Sequence, residues 1–387
     1  MVSPPPVGYF RPGSACLGPF RYSPDMNASH PAYRVRWQRL TLATQRQSRL
    51  TLALLQQTPL TLSQIAAHAG FSRIEELRRH CQEIHGCNPS QLRQQSEVPR
   101  TESNSVTVTL PIKGPYCREW VFDYLRARAL SGIEDVSAYE YRRRVSAAGM
   151  TPVWVRVSPA RTGLKAQLPL QLGPAHLWLA RVTRLFDLNA DSRVIDDALA
   201  ATAPILRASV EQAPGLRVPG AWDGFETTVR AVLGQQVSVV RGTELANRMI
   251  ERYGGGDFPT PAQLETRDIA ELGMPGNRGK AISTIASWVG GQDIELPEGE
   301  ETEAFVGQIG EIKGIGPWTQ NYLRLRVVKD VDAFPDNDWV VLKQLETTPA
   351  QARAQAQHWR PWRAYALMHI WRQAGLARRQ KAAARSA

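Results

Sequence analysis

Cysteine and long apolar runs are scarce in this chain of 387 residues. Its four cysteines are scattered and include no CxxC pair, which argues against both a disulfide framework and a zinc finger. No stretch is apolar enough to span a membrane, and residues 1–33 lack the apolar core of a signal peptide. We therefore expect a protein of the reducing cytoplasm, with no membrane segment and no metal site.

Acidic residues are scarce at both ends of the chain. Residues 1–100 contain 12 arginines against five acidic residues, and the segment after Gly375 adds four basic residues and no acid. These ends account for the formal net charge of +11, because basic and acidic residues balance between them. Contacts to phosphate require Lys and Arg, so a nucleic acid fits this distribution, and a solvated basic surface fits it equally well.

Composition and periodicity divide the chain into six segments. We predict a disordered leader, a helix-turn-helix, a polar linker, a small α+β unit with an antiparallel sheet, an all-helical core and a basic tail. In that order they occupy residues 1–33, 34–96, 97–105, 106–175, 176–375 and 376–387. The predicted fold class is therefore multidomain and mainly α.

Within the second segment, two short helices joined by a tight turn are predicted. The first covers residues 62–68, Gly70 forms the turn, and Ser72 serves as the N-cap of the second helix. Apolar side chains at helical spacing can pack the two helices against each other, as in a helix-turn-helix. A helical hairpin without a function is the alternative.

The stretch from the Ala-Gly turn to GCNPSQLR resembles the second helix-turn-helix of AraC-type regulators, over about 60 residues. The resemblance implies that the second helix contacts DNA. Its exposed face carries Arg73, Arg78 and Arg79. A single unit of this kind offers few base contacts, so we expect binding driven mainly by phosphate.

A second pair of helices is predicted around the turn KGIG. Gly314 and Gly316 allow positive φ and a close approach of the backbone to a ligand, and Pro317 is well suited to begin the second helix. Free amides around Gly314, Ile315 and Gly316 would then bind a phosphate of DNA. By itself the pattern is weak, because helix starts are common.

The order of features downstream of KGIG strengthens the prediction of a hairpin that binds DNA. About 20 residues after the turn comes Phe334-Pro335, and then Asp338. This order, together with PGAWDGFETTVRAVLGQQVSV, LGMPGNRGKAI and WRPWRAYALMHIW, resembles the helix-hairpin-helix DNA glycosylases of the DNA-3-methyladenine glycosylase II, or AlkA, type. The resemblance covers residues 106–375. With the AraC-like segment in front, the chain resembles Ada–AlkA fusions, without their cysteine-rich methyl-accepting domain.

The resemblance implies a monofunctional enzyme of base excision repair. Such an enzyme flips an alkylated base, 3-methyladenine or a related one, out of double-stranded DNA and hydrolyses its glycosidic bond. An alkylated purine is a cation, which electron-rich ring faces attract. Four residues match aromatic pocket positions of the family: Trp318, Tyr322, Trp371 and Tyr124. Core packing is the alternative for each, and we favour it for Trp359 and Trp362.

Asp338 is the predicted catalytic carboxylate. It would stabilise positive charge on the sugar and orient or deprotonate the attacking water. Its structural alternative is to cap the helix that follows, and both roles can hold together. Asp336 is the runner-up because FPDNDW can be aligned one or two residues differently, and Asp332 is predicted to be a loop residue.

Two further roles follow from the resemblance. Glycosylases that also cut the strand use a lysine where this chain has Trp318, and Lys313 lies before the turn, so we expect no lyase activity. The wedge that fills the space of the flipped base corresponds to Gln236.

No cofactor is expected, except that the family resemblance leaves room for a monovalent cation at the hairpin. We expect a monomer in a bacterial cytoplasm, associated with the nucleoid. The alternative function is a transcription regulator of the Ada/AraC type whose glycosylase-like half senses damaged bases.

Overall fold

The computed structural model describes residues 40–95, 104–146, 150–290 and 300–386. The predicted leader and most of the predicted linker lie outside these residues. The chain divides into two compact units after Val106, and each is considered by itself. Among the residues described, no helix is both long and apolar enough to cross a membrane.

The described residues of the first unit form four helices. They are α1 (Leu42–Gln57), α2 (Leu62–Ala69), α3 (Ile74–His85) and α4 (Pro89–Gln94). A capping box formed by Thr61 and Gln64 begins α2, and Gly70 ends it in the left-handed region, with φ 80°. Ile65 of α2 and Leu77 and Cys81 of α3 are fully buried, so the two helices pack through the side chains that the sequence pattern selects.

The start of α3 differs from the prediction. Ser72 was predicted as its N-cap, which is wrong: Arg73 takes that position and makes no capping bond with its side chain. The backbone amide of Ser72 instead donates to Oε2 of Glu76 at 3.0 Å. That carboxylate satisfies an amide before the helix start, whereas an N-cap side chain would accept from amides of the first turn.

The second unit begins with a small α+β layer, as predicted. Its five-stranded sheet has the order β1-β5-β4-β3-β2, and the pairs β2–β3, β3–β4 and β4–β5 are antiparallel. The strands are β1 (Ser105–Pro111), β2 (Glu134–Val136), β3 (Tyr141–Val145), β4 (Val153–Ala160) and β5 (Gly163–Pro169), with α5 (Arg118–Arg126) between the first two. The pattern missed β2, because a three-residue strand is too short to display alternation.

The rest of the second unit is helical. Its helices are α6 (Ala175–Leu185), α7 (Ser192–Thr202), α8 (Pro204–Gln212), α9 (Gly224–Leu233), α10 (Val239–Met249), α11 (Pro261–Leu264), α12 (Gly276–Gly290), α13 (Glu300–Gly310), α14 (Pro317–Leu323), α15 (Trp339–Leu345), α16 (Pro349–Ala356) and α17 (Arg363–Ser386). This architecture confirms the predicted mainly helical fold with a small antiparallel sheet. The DNA-reading role of the first unit stays a prediction.

Two helical segments have boundaries that the sequence did not indicate. The stretch from 224 to 254 breaks between α9 and α10, and the break holds the predicted wedge residue Gln236. The basic tail continues the last helix, since α17 runs without interruption to Ser386.

Two buried apolar clusters form the core of the helical part. The first includes Ile315 and Leu323, and the second includes Leu325 and Val341. The segment that contains the hairpin and the aspartates therefore crosses from one cluster to the other. Each buried aliphatic side chain contributes about 2 kcal/mol to stability, so this segment is anchored on both sides of the candidate site.

The buried position of Trp359 confirms the prediction that it belongs to the core. It lies in the second cluster, 2% exposed, and meets Phe334 edge-on at a ring distance of 5.6 Å. Trp362 packs against the same cluster.

Candidate active site

The hairpin joins α13 to α14. Gly314 adopts φ 102°, a left-handed conformation that favours glycine, and a Cβ there would lie 3.2 Å from Cβ of Ala281. The positive φ predicted for Gly316 is wrong. Its φ is −83° and it is the N-cap of α14, which begins with Pro317.

The three predicted hairpin residues contribute in different ways. Ile315 is 5% exposed within the first core cluster, and its amide donates to the carbonyl of Ile312 at 3.0 Å. Gly314 and Gly316 are exposed, and neither amide has a backbone acceptor in the part of the chain that the structure describes. Ile315 therefore anchors the turn, and the two glycine amides are the free donors.

The loop between α9 and α10 is tied to this turn. Nε2 of Gln235 donates to the carbonyl of Gly314 at 2.9 Å and to Oγ1 of Thr319 at 3.0 Å. The next residue, Gln236, is exposed and adopts φ 55°, an unusual conformation for a residue other than glycine. Backbone strain at an exposed tip beside the hairpin suits a side chain that must project toward a ligand.

Asp338 forms the start of α15. Its Oδ1 accepts from the amides of Val340 and Val341, each at 3.0 Å, so the predicted capping role is present. The indole Nε1 of Trp318 donates to Oδ2 at 2.8 Å, and that of Trp371 donates to Oδ1 at 3.2 Å. The hairpin helix, α15 and α17 thus converge on one carboxylate.

The distribution of these donors leaves one oxygen of Asp338 able to accept a further hydrogen bond. Three N–H groups point at Oδ1, and one points at Oδ2. A carboxylate offers about four lone-pair positions, two on each oxygen, so Oδ2 keeps one of them. Asp338 is 6% exposed, and among the described residues its carboxylate has neutral donors around it and no cation. It can therefore act on a positive charge that comes from a ligand.

The two neighbouring aspartates have different surroundings. Asp336 is paired with Nε of Arg353 on α16. Asp332 accepts from Nε and Nη2 of Arg363 at 2.7 and 2.9 Å and pairs with Arg360 at 2.8 Å. These cations already neutralise both carboxylates, so only Asp338 among the three combines burial with uncharged partners.

The aromatic rings of α14 continue the site away from Asp338. Trp318 and Tyr322 are stacked, with ring centres 5.2 Å apart and planes inclined by 17°. One helical turn separates them, which is the spacing that lets two side chains meet on a helix. Both are half-buried, as is Trp371 on α17. The structure therefore places Trp318 and Trp371 in contact with Asp338, and Tyr322 next to Trp318.

Tyr124, the fourth predicted pocket residue, lies behind Tyr322. It is 3% exposed, and the guanidinium of Arg128 covers its ring at 3.7 Å. Nη1 of Arg326 donates to the hydroxyls of Tyr124 at 2.5 Å and Tyr322 at 2.7 Å. Tyr124 thus belongs to the site through its hydroxyl group and presents no open ring face.

The titration of the two tyrosines reflects this arrangement. Burial raises the pKa of Tyr124 to about 12, and its bond to Tyr322 acts in the same direction. Burial would raise the pKa of Tyr322 as well, but Arg326 and Arg128, together with the hydrogen bond from Tyr124 and the charge of Arg230, outweigh it and lower the pKa to about 8.

Sequence reasoning missed Arg326 and Gln235. Both lie inside segments that the family resemblance selects, but an arginine in a helix is ordinarily a solvated residue, and nothing local indicates a buried one. The signal available was the position of Arg326 four residues after Tyr322, on the same face of the helix.

In the first unit, the three predicted DNA-binding residues Arg73, Arg78 and Arg79 are all exposed. A shallow groove of about 530 Å³ lies beside them, lined by Arg78, Arg79, Leu62 and the start of α4. The described residues include no group of three His, Cys, Asp or Glu side chains arranged to hold a metal ion.

Comparison with known proteins gives consistent matches. Residues 107–223 match the family model of the AlkA N-terminal domain. The chain is 34% identical over 277 residues to DNA-3-methyladenine glycosylase 2 of Escherichia coli K12, which covers 68% of this chain and 96% of that protein. It is 34% identical over 328 residues to the "Probable bifunctional transcriptional activator/DNA repair enzyme AlkA" of Mycobacterium tuberculosis H37Rv. That match covers 79% of this chain, which spans 66% of the relative's length.

Solved structures share the fold. A 3-methyladenine DNA-glycosylase from Archaeoglobus fulgidus superposes with a TM-score of 0.56 at 19% identity, covering 68% of this chain and 96% of that one. The 8-oxoguanine glycosylase/lyase of Clostridium acetobutylicum, bound to double-stranded DNA, gives a TM-score of 0.52 at 16% identity, covering 70% and 96%. On the identity with the E. coli enzyme over nearly its whole length, the chain belongs to the DNA-3-methyladenine glycosylase 2, or AlkA, family of DNA glycosylases.

Proposed function

We propose that this chain is a monofunctional DNA glycosylase that flips an alkylated base out of double-stranded DNA and hydrolyses its glycosidic bond, leaving an abasic site. The observation that carries this proposal is the Asp338 carboxylate, held by the indole groups of Trp318 and Trp371 beside the hairpin. The substrates are 3-methyladenine and related alkylated purines.

The reaction moves positive charge from base to sugar. As the bond between C1′ and the base nitrogen breaks, its electron pair stays on the base, which leaves as a neutral molecule. The sugar becomes an oxocarbenium ion, and a carboxylate close to it lowers the energy of that state. The N–H donors around Asp338 fix its orientation before the reaction, so little reorganisation is needed when the charge develops.

Water completes the hydrolysis. The free lone pair of Oδ2 can accept a hydrogen bond from a water molecule and direct its oxygen toward C1′. The new C–O bond forms as the water gives up a proton, which the carboxylate can accept and release to solvent.

The stacked rings of Trp318 and Tyr322 are the proposed surface for the flipped base. An alkylated purine is cationic, and attraction to an aromatic face contributes about 1 to 2 kcal/mol when water is excluded. Trp371 also reaches Asp338, from α17. The base and the sugar would therefore contact different members of the group formed by Trp318, Tyr322 and Trp371.

Two exposed features would contact the rest of the DNA. The free amides of Gly314 and Gly316 can bind a backbone phosphate, which positions the duplex without reading sequence. Gln236 is the proposed wedge that occupies the space left by the flipped base, and Gln235 holds its loop against the hairpin.

The proposal includes no strand cleavage. A lysine amine is required to form a Schiff base with the sugar. The corresponding position in this chain is Trp318, whose indole cannot form one. Lys313 is exposed in the turn and precedes the helix that carries the site.

A monovalent cation at the hairpin is not needed for this chemistry. The carbonyls of Gly314 and Ile312 already accept hydrogen bonds, so a cation would have to share them.

A second DNA-binding activity is proposed for the first unit. Its exposed arginines on α3 favour contact with phosphates, which would keep the enzyme on DNA while the second unit searches for lesions. The name of the mycobacterial relative favours transcription regulation as the alternative use of this unit.

The experiment that tests the proposed enzyme is base release from alkylated duplex DNA, followed by chromatography. We expect free 3-methyladenine and one abasic site for each base released. If alkylated DNA is bound but no base appears under any condition, the chain is not a glycosylase and the sensor function takes its place.

A further inference from the structure

The site ends in a buried positive charge at the side opposite Asp338. Arg326 is 7% exposed and lies in the turn of π-helix, Arg324–Val328, that follows α14. Its guanidinium donates to the hydroxyls of Tyr124 and Tyr322 and, through Nη2, to the carbonyl of Gly220 at 2.9 Å. All three acceptors are neutral, so this charge is not cancelled by its contacts.

Some of the other buried cations in the second unit are paired with carboxylates, whereas buried Arg217, like Arg326, donates to neutral oxygens in the part of the chain that the structure describes. Lys329 is paired with Asp187 at 2.9 Å, and Arg143 is paired with Glu226. In the part of the chain that the structure describes, no carboxylate contacts Arg326. Its buried Nε also has no hydrogen-bond partner there. Burying a charge without a counterion is costly, and such positions often serve a function.

Tyr322 is the part of this group that faces the aromatic site. It stacks on Trp318, while Tyr124 and Arg326 lie behind it. Arg128 approaches from the loop after α5, over the ring of Tyr124 at 3.7 Å.

Arg230 on α9 is the remaining cation near Tyr322. It is paired with Glu226 at 2.9 Å and Glu134 at 3.4 Å, so most of its charge is compensated. Arg326 and Arg128 therefore dominate the field at the hydroxyl of Tyr322.

We propose that Tyr124, Tyr322 and Arg326 form the distal wall of the base pocket and discriminate cationic from neutral lesion bases by the charge that this wall carries. The inference rests on the proposed function, because it concerns the base that this same site would bind. Arg326 acts through the tyrosines and is a positioning residue, whereas Tyr322 meets the base.

The charge of this wall depends on the proton of Tyr322. The pKa of this tyrosine is lowered to about 8, because the cost of burial is exceeded by the combined effect of Arg326, Arg128, the hydrogen bond from Tyr124 and Arg230. Below that pH the phenol is neutral and Arg326 leaves the wall positive, which repels a cationic base. Above it the phenolate neutralises Arg326, and the repulsion disappears.

The size of the effect follows from Coulomb's law. One unit charge about 6 Å from a bound cation, at an effective dielectric constant of about 20, changes affinity by about tenfold to a hundredfold. The transition state still carries positive charge shared between base and sugar, so kcat/KM should rise with pH for a cationic base. A neutral base should show no such rise.

The test measures kcat/KM for a duplex that contains a fixed-charge N-alkylated adenine, from about pH 6.5 to about pH 9.5. The wild type should gain at least about tenfold with a midpoint near pH 8. Tyr322→Phe should give a flat profile. Tyr124→Phe should keep the rise but move it to higher pH, because the phenolate no longer has its bond from Tyr124. Affinity for a duplex with neutral etheno-adenine should not increase over this range.

A spectroscopic measurement separates this proposal from the proposed function. Tyrosinate absorbs in the near ultraviolet, so the wild type should show one tyrosine that ionises near pH 8, and Tyr322→Phe should lack it. This step does not require glycosylase activity. A flat wild-type rate profile, the same rise in Tyr322→Phe, or no early tyrosinate would each overturn the charged wall. If the tyrosinate step is present but no base is released, the proposed glycosylase function would be rejected instead.

Discussion

The two ends of the candidate site hold buried charges of opposite sign under similar conditions. At one end, the carboxylate of Asp338 receives four N–H donors and no cation. At the other end, the guanidinium of Arg326 donates to two phenols and one carbonyl and meets no carboxylate among the described residues. Neutral dipoles satisfy most of the hydrogen-bonding capacity of both groups and leave their net charges in place.

The sign at the carboxylate end matches the chemistry proposed for the site, because the sugar becomes positive next to Asp338. At the other end, the charge of Arg326 repels a cationic base, and this repulsion decreases as the base loses its positive charge. A single ion pair in the site would cancel both fields. The separation of the charges by the stacked rings of Trp318 and Tyr322 preserves them, so each end acts on the part of the substrate beside it.

The largest effect is expected when the carboxylate end loses its charge. Asp338→Asn should lower single-turnover base release by about 100-fold or more, because the positive sugar is no longer stabilised. The asparagine oxygen can still accept from the amides of Val340 and Val341, so α15 should keep its start. Single-turnover release with enzyme in excess measures the chemical step.

The matched control is Asp336→Asn, which removes an equal charge two residues away. This carboxylate is paired with Arg353 outside the site, so base release should stay within about threefold of the wild type. If Asp336→Asn loses activity while Asp338→Asn retains it, the assignment of the carboxylate is off by two residues.

Removing a single donor tests how the carboxylate is held. Trp318→Phe keeps a ring but deletes the 2.8 Å bond to Oδ2, and a hydrogen bond to a charged group contributes about 1.5 to 3 kcal/mol. Base release should therefore fall by about tenfold to a hundredfold. Trp371→Phe deletes a longer bond of 3.2 Å and should cost less. Trp362→Phe, in the second core cluster, is the control, and an equal loss there would mean that packing explains the effect.

The proposed wedge, Gln236, lies at neither charged end of the site. Its removal should therefore affect base release from cationic and neutral lesions alike. Gln236→Gly relieves the left-handed backbone at φ 55°, which should raise the free energy of unfolding by up to about 1 kcal/mol. The same change removes the side chain that fills the duplex, so base release should fall several-fold. Thermal unfolding and base release on both lesion classes measure these opposite effects. A variant that is more stable and fully active would exclude Gln236 as the wedge.

The smallest effect on chemistry is expected from the first unit. Replacing Arg73, Arg78 and Arg79 with alanine should weaken binding to undamaged duplex and reduce the salt slope by up to about 1 for each phosphate that the variant no longer binds. Base release at saturating substrate should be nearly unchanged. Affinities across a salt series, with random and promoter duplexes, provide the measurement. A promoter footprint that survives salt and competitor DNA would favour the regulator.

The sequence predicted the local structure around the candidate site because the rules of helix formation are strong. Proline at the start of α14, the one-turn spacing of Trp318 and Tyr322, and an aspartate before α15 each follow from helix chemistry. The mainly helical fold with a small sheet was predicted for the same reason. These features depend on residues close together in the chain.

Features that depend on distant contacts could not be predicted. Tyr124 and Arg326 are 202 residues apart, and their bond exists only because the fold brings α5 close to the π-helical turn that follows α14. The bond from Gln235 to Gly314 likewise spans 79 residues. The error at Gly316 has a different origin, since the pattern Gly-Ile-Gly does not tell which glycine takes the positive φ.

The most direct test of the account compares two abasic analogues in duplex DNA. One carries a positively charged pyrrolidine ring in place of the sugar, and the other carries a neutral tetrahydrofuran ring. An enzyme that stabilises a positive sugar should bind the charged analogue more tightly, because it resembles the transition state. We predict a preference of at least about tenfold in the wild type and in Asp336→Asn, and its loss in Asp338→Asn. An unchanged preference in Asp338→Asn would contradict the central role of this carboxylate.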